Sequence, residues 1–276
     1  MLRTNLTRRA VFGAAALLAV ATAGPAAAQT ELKWAHVYES SEAYHTWALW
    51  AAEEFAKRTD GRYTIEVFPA SSLGKETDIN EGLGLGTVDI IYTGQLFAGR
   101  SHGPVAIGGA PYMFRDYDHW AKFRDSDLFQ ELAEGYREAS GNHIVSLTYY
   151  GERHVTSNKR IETPQDMQGL KIRVPDAPLY MMFPRATGAN PAPIAFAEVY
   201  LALQNGTVEA QENPLTTIEA KKFFEVQKHI VLTGPIDQHN VMAAASPGIP
   251  SEFFSQRTAI GKASAVNQQI TAVGSH

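Results

Sequence analysis

At 276 residues with 45% hydrophobic content, the chain is long enough to bury a substantial core, as one large domain or two lobes, and is not a disordered sequence. A formal charge of −5 excludes nucleic-acid binding through a general electrostatic field. The absence of cysteine excludes disulfide frameworks, thiolate nucleophiles and Cys-ligated zinc.

The first nine residues carry Arg3, Arg8 and Arg9 and no acid, an apolar run of small residues follows, and Ala26-Ala27-Ala28 offers a peptidase site. This pattern predicts an export signal over residues 1–28, cleaved after Ala28, with an uncleaved anchor as the alternative. Thr7-Arg8-Arg9 loosely resembles a twin-arginine signal, so the export route stays open. Without those three arginines the formal charge becomes −8, and an anionic ligand would need local positive groups.

From residue 32 the pattern alternates strand and helix. Residues 32–37 read as a strand, and Ser41 can cap a helix in which Trp47, Trp50, Ala51 and Phe55 fall at helical spacing up to the Asp60-Gly61 turn. A strand at 63–68, a helix at about 77–85 and a strand at 88–92 complete a βαβαβ run, the signature of a parallel sheet. Helices near His119 and over 128–139 precede strands at 143–150 and 154–158. A helix at about 217–226 and a strand at 230–232 come later. The expected architecture is α/β and two-lobed, with lobe I at 29–150, lobe II at 151–239 and part of 240–276 returning to lobe I. The crossings fall near 150–155 and 234–239.

Residues 168–214 pack strand, helix, strand, helix and strand into one unit around Arg173. That arginine sits between Lys171-Ile172 and Val174-Pro175 on a short extended segment that Pro175 and Pro178 end. A planar guanidinium at a strand end suits a carboxylate held by two parallel hydrogen bonds, and a surface ion pair is the alternative. Arg153, at the predicted lobe crossing, could reach the same cleft or pair with Glu152 or another acid. Tyr38, Glu39, Tyr92 and Gln95 lie at the C-terminal ends of predicted parallel strands, where crevices of open α/β sheets form, and are the candidates from the first lobe.

Other motifs lead nowhere catalytic. Gly99-Arg-Ser101-His-Gly103 has the spacing of a hydrolase nucleophile elbow, but Pro104 and a glycine-rich loop stand where its long helix belongs. Gly82, Gly84 and Gly86 follow a helix and precede a strand, the reverse of a phosphate loop, and mark a helix end. The nine histidines show no metal-binding helix spacing, so neither a metal nor a cofactor is expected.

Gly169-Leu-Lys-Ile-Arg173-Val-Pro175, then Pro193-Ile-Ala-Phe196-Ala-Glu198-Val-Tyr200-Leu-Ala-Leu-Gln204, then Gln211-Glu212-Asn213-Pro214 resemble, in order, three motifs of the DctP-type solute receptors of TRAP transporters. The likeness runs from about Glu31 to Gly234. It implies a periplasmic, monomeric, non-enzymatic receptor whose lobes close on a small organic acid and which delivers that acid to small and large membrane subunits. It also implies that Arg173 takes the ligand carboxylate, with Arg153 as a second arginine near it, Asn213 as a hydrogen-bonding partner and Phe196 as a ring beneath the ligand. From sequence alone Phe196 reads as core, and Glu212 could brace the hinge.

Tyrosines and Gln95 on the first lobe favour a hydroxyl-rich sugar acid, a uronate or aldonate, over a C4-dicarboxylate or keto acid. A periplasmic enzyme or a sensor receptor using the same cleft are the readings from other classes. Ser251-Glu-Phe-Phe254-Ser-Gln is similar to the family's next segment, but 240–276 is shorter than the long C-terminal helices of such receptors. Exposed apolar surface and weak expression are the expectation from that shortening.

Overall fold

The computed structural model describes residues 29–233 and 237–245, so the export signal and the C-terminal segment after residue 245 lie outside the described residues. The expectation for the second crossing lies partly outside them as well.

In the first half, strand β1 (Thr30–Ala35), helix α1 (Ala43–Arg58), β2 (Tyr63–Phe68), α2 (Glu76–Leu85) and β3 (Ile90–Gly94) form the anticipated βαβαβ run. Both β2 and β3 pair with β1 in parallel. A short helix α3 (Gln95–Ala98), α4 (Tyr117–Arg124) and α5 (Asp127–Ser140) lead into the long strand β4 (Asn142–Glu152). Leu32, Trp34, Ile90 and Ile91 are buried along the strands, and α1 and α2 present Ala48, Ala52, Ile79 and Leu83 to the core. Gly86 ends α2 in the left-handed conformation, φ +73, as a helix C-cap requires.

The second half repeats the plan at smaller scale: β5 (His154–Ser157), β6 (Lys171–Val174), α6 (Met182–Ala186), β7 (Asn190–Pro193), α7 (Val199–Gln204), β8 (Ala210–Asn213), α8 (Leu215–Ala220) and β9 (His229–Val231). A last strand, β10 (Asp237–Ala245), returns to the first sheet. The two sheets have matching orders, β2-β1-β3-β10-β4 and β7-β6-β8-β5-β9. In each, a parallel triplet is joined by an antiparallel strand from the far side of a crossing, β10 in one and β5 in the other. Arg153 alone separates β4 from β5.

Two local expectations are corrected. The N-cap of α1 is Glu42 rather than Ser41, and its carboxylate is taken by the backbone amide of Glu39 and the distant Thr217 hydroxyl instead of capping the helix. The helix anticipated over 217–226 ends at Ala220, because Lys222 adopts φ +54 and a 3-10 turn at Phe223–Glu225 then drops the Phe223 ring into the core.

The lobes touch. Leu96, Phe97 and Ala106 of the first pack with Val174, Ala177 and Tyr180 of the second, and the Tyr38 and Phe196 rings meet with centroids 6.4 Å apart. Polar links join them too: Lys221 Nζ to Glu39 Oε1 at 2.7 Å, and the Thr217 hydroxyl to Glu42 Oε2 at 2.8 Å.

Candidate binding cleft

The cleft is best understood from its two buried arginines. β6 carries Arg173 between Ile172 and Val174, all three buried, and the Phe196 ring beside its guanidinium also meets Tyr38 of the first lobe. Its Nε donates to the Ile194 carbonyl at 2.9 Å, which fixes the plane of the guanidinium, and the Phe196 ring lies 5.8 Å from the guanidinium carbon. Nη1 is buried and has no hydrogen-bond partner. No acid among the described residues forms an ion pair with this side chain, which removes the surface ion-pair alternative. Burial, and then the like charge of Arg153, pull its pKa down to about 10, so it remains cationic at neutral pH. A buried cation with an unmet donor is costly alone, and an anion against it would offset that cost.

Arg153 has the opposite status. Its Nε and Nη2 both engage the Glu212 carboxylate, Nη2 lying 3.0 Å from Oε1, and Nη2 also reaches the Glu212 backbone carbonyl. Burial alone would lower its pKa, but the charge and hydrogen bonds of Glu212 outweigh burial and leave it raised. The expected acid partner is thus Glu212 of β8 and not Glu152. The Tyr180 ring lies 5.5 Å from the guanidinium carbon.

Around these arginines the candidates separate. Asn213, opposite His154 on β8, donates to Gln211 Oε1 at 2.6 Å, and Gln211 donates to Thr156 at 2.9 Å, so the amide is held in a buried row. Phe196 lies under Arg173, under Lys221 Nζ at 5.1 Å, and against Tyr38. Glu39 has its carboxylate on Lys221, and Tyr38 joins Tyr44 and Tyr150 in a ring cluster. Gln95 begins α3 with both polar amide atoms buried and unpartnered. Gly108 makes room for that amide, since a Cβ there would lie 2.5 Å from Gln95 Oε1. Tyr92 stands apart, with ring contacts to Trp34, His36 and Tyr44 of its own lobe.

Sequence reasoning missed Glu76, Tyr180 and Lys221. Glu76 is partly exposed as a residue, but its carboxylate turns inward, and Oε1 accepts from Gly94 N at 2.7 Å and from the Thr93 hydroxyl at 3.0 Å. Burial raises its pKa against these hydrogen bonds and the fields of Arg173 and Arg153. Its place in the first turn of α2, the helix that follows β2 of the parallel sheet, was the available signal.

Among the described residues no group of three or more His, Asp or Glu could hold a metal. Ser101 is an exposed turn residue between α3 and a 3-10 segment, not a nucleophile elbow. A surface depression bounded by Gln130, Arg137 and His143 lies on the outer face of α5 and β4 and contains none of the cleft groups. Its Glu134 and Arg137 pair with each other in solvent.

The family of bacterial extracellular solute-binding proteins, family 7, known as DctP, matches residues 34–246. The chain belongs to the DctP family. A solute-binding protein of Roseobacter denitrificans is 36% identical over 222 residues, 79% of this chain and 68% of that protein. The sialic acid-binding periplasmic protein of Vibrio cholerae is 32% identical over 220 residues, again 79% and 68%. Of solved structures, a TRAP periplasmic solute-binding protein from Polaromonas bound to D-erythronate superposes with a TM-score of 0.81 at 33% identity, covering 87% of this chain and 80% of that one. The Roseobacter protein, bound to L-galactonate, superposes at 0.80 with the same identity and coverage. As a family member this chain is a solute receptor of the TRAP type, with the two-lobed α/β fold of those structures.

Proposed function

We propose that this DctP-family receptor binds a sugar acid, a uronate or aldonate, in the periplasm and hands it to TRAP membrane subunits. The observation that carries the reading is the buried, unpartnered Nη1 of Arg173, oriented by Ile194 and backed by Phe196. A carboxylate there satisfies the donor and compensates the charge at once. Asn213, Gln95 and Tyr38 are the groups proposed to meet hydroxyls or the rest of the ligand. Arg153, held by Glu212, orients the site through charge and packing rather than by a bidentate bond of its own.

D-Erythronate, L-galactonate and sialic acid, named for the relatives, are all hydroxylated acids. Contacts from both lobes make the ligand favour the closed arrangement by its differential affinity. A thermal-shift screen against uronates, aldonates, dicarboxylates and keto acids tests the proposal. A ligand at a hundred times its dissociation constant adds about 2.7 kcal/mol to stability. Should neutral sugars or cationic amino acids raise the melting temperature while no acid does, the carboxylate reading is wrong.

A further inference from the structure

The charges facing the cleft do not balance at random. Arg153 is matched by Glu212 and Lys221 by Glu39, and both Glu42 oxygens are taken by the Glu39 amide and the Thr217 hydroxyl, which leaves Arg173 on the second lobe with an unmet donor and Glu76 on the first with no hydrogen bond given to its Oε2. They feel one another's field, yet no ion pair forms between them. Glu76 is not a floppy surface acid. The Gly94 amide and the Thr93 hydroxyl both bond Oε1, and Asn80 Nδ2 donates to that hydroxyl at 2.8 Å, which commits its proton to Glu76. Neither bond uses Oε2. A second, unpaired polar group, the Gln95 amide, begins the helix directly after Gly94.

We propose that Glu76 makes this cleft a filter for monoanions: one carboxylate is taken by Arg173, hydroxyls at the other end meet Glu76 and Gln95, and a second carboxylate there is repelled. The inference rests on the carboxylate reading of Arg173 and adds the net charge of the ligand. A hydroxyl donates to an oriented carboxylate oxygen. A ligand carboxylate cannot, and in a water-poor cleft two like charges repel far more strongly than in bulk.

Pairs of acids that differ in only one end group isolate the effect. D-Galactonate and galactarate share an open carbon chain and its internal hydroxyls and differ only at C6, and gluconate with glucarate forms a second such pair. Calorimetry at neutral pH should show each monoacid that binds at least about tenfold tighter than its diacid. Glu76→Gln keeps an oxygen for Gly94 and Thr93 but loses the charge, and should bring the two affinities within about threefold by strengthening the diacid. Glu76→Asp keeps the charge and should keep the discrimination, and circular dichroism with thermal melts checks that both variants fold.

Equal binding of mono- and diacid by the parent protein removes the filter while leaving Arg173 as the carboxylate site. So does a ratio unchanged in a folded Glu76→Gln. If no acid of either series binds and neutral sugars do, the carboxylate reading of Arg173 fails, and the filter with it.

Discussion

The two walls of the cleft are built from different chemistry. The second lobe supplies cations on a small sheet: Arg173 on β6, Arg153 locked to β8, and Lys221 just beyond α8. The first supplies tyrosine rings, an unpaired amide and a buried acid: Tyr38, Tyr44, Tyr150, Gln95 and Glu76. One side is suited to capture a charge and the other to read what is attached to it. If one wall takes the carboxylate and the other the hydroxyls, as proposed, closure is a condition for full affinity.

The strongest way to break that contrast is at the anchor. Removing the guanidinium by Arg173→Ala leaves a ligand carboxylate buried and unpaired, and should cost about 3–5 kcal/mol, or two to three and a half decades in affinity by calorimetry. Arg173→Lys should recover only part, because an ammonium cannot make two parallel in-plane bonds. Binding by Arg173→Ala within about threefold of the parent would reduce Arg173 to a structural residue.

Next comes the partner arginine, where the prediction concerns folding. Glu212→Gln leaves Arg153 buried without its counter-charge and should lower unfolding stability by about 3 kcal/mol in urea titrations of the unliganded protein. Arg173→Met should leave the unliganded protein as stable as the parent or more so, since it removes a cation with no ion-pair partner. Equal destabilisation by the two substitutions would erase the distinction between a braced arginine and a waiting one.

The smallest effect belongs to the first lobe. His36 is buried beside His45, with Nε2 3.3 Å from His45 Nδ1 and rings of Tyr38 and Tyr92 around it. Burial, then the His45 charge, lower its pKa from 6.5 to about 3. The unfolded chain therefore takes up a proton that the folded chain refuses, so stability is full above pH 6.5 and is lost as pH falls from there towards 3. Between pH 7.5 and 5.5 the loss from this residue is about 1.4 kcal/mol, and His36→Gln should flatten that slope in denaturation curves. An unchanged slope would show that other groups set the acid limit.

Much of the fold was legible because its signals are local. Alternating strand and helix periods revealed the βαβαβ run, and the segment Lys171–Val174 between turn-forming residues marked β6 and with it Arg173. The polar wiring was not legible. Lys221 meets Glu39 across 182 positions and Thr217 meets Glu42 across 175, and such pairs leave no periodic trace in either segment. The same limit hid Glu212 as the partner of Arg153: the nearer Glu152 belongs to β4, where backbone pairing with β10 carries it into the other sheet. Ser41 lost the cap position to Glu42 because a tertiary demand outweighed a local preference.

The chain changes sheet across one residue, and that has a mechanical consequence. Arg153 grips both the side chain and the backbone carbonyl of Glu212, so the first residue past β4 moves as part of the second lobe. At this strand-to-strand passage torsional freedom is then left upstream, at Gly151, whose φ of +113 lies where other residues strain. A rigid clamp next to a permissive glycine acts as a bearing with a short pin: a small rotation at its root becomes a wide sweep at the rim where solute enters.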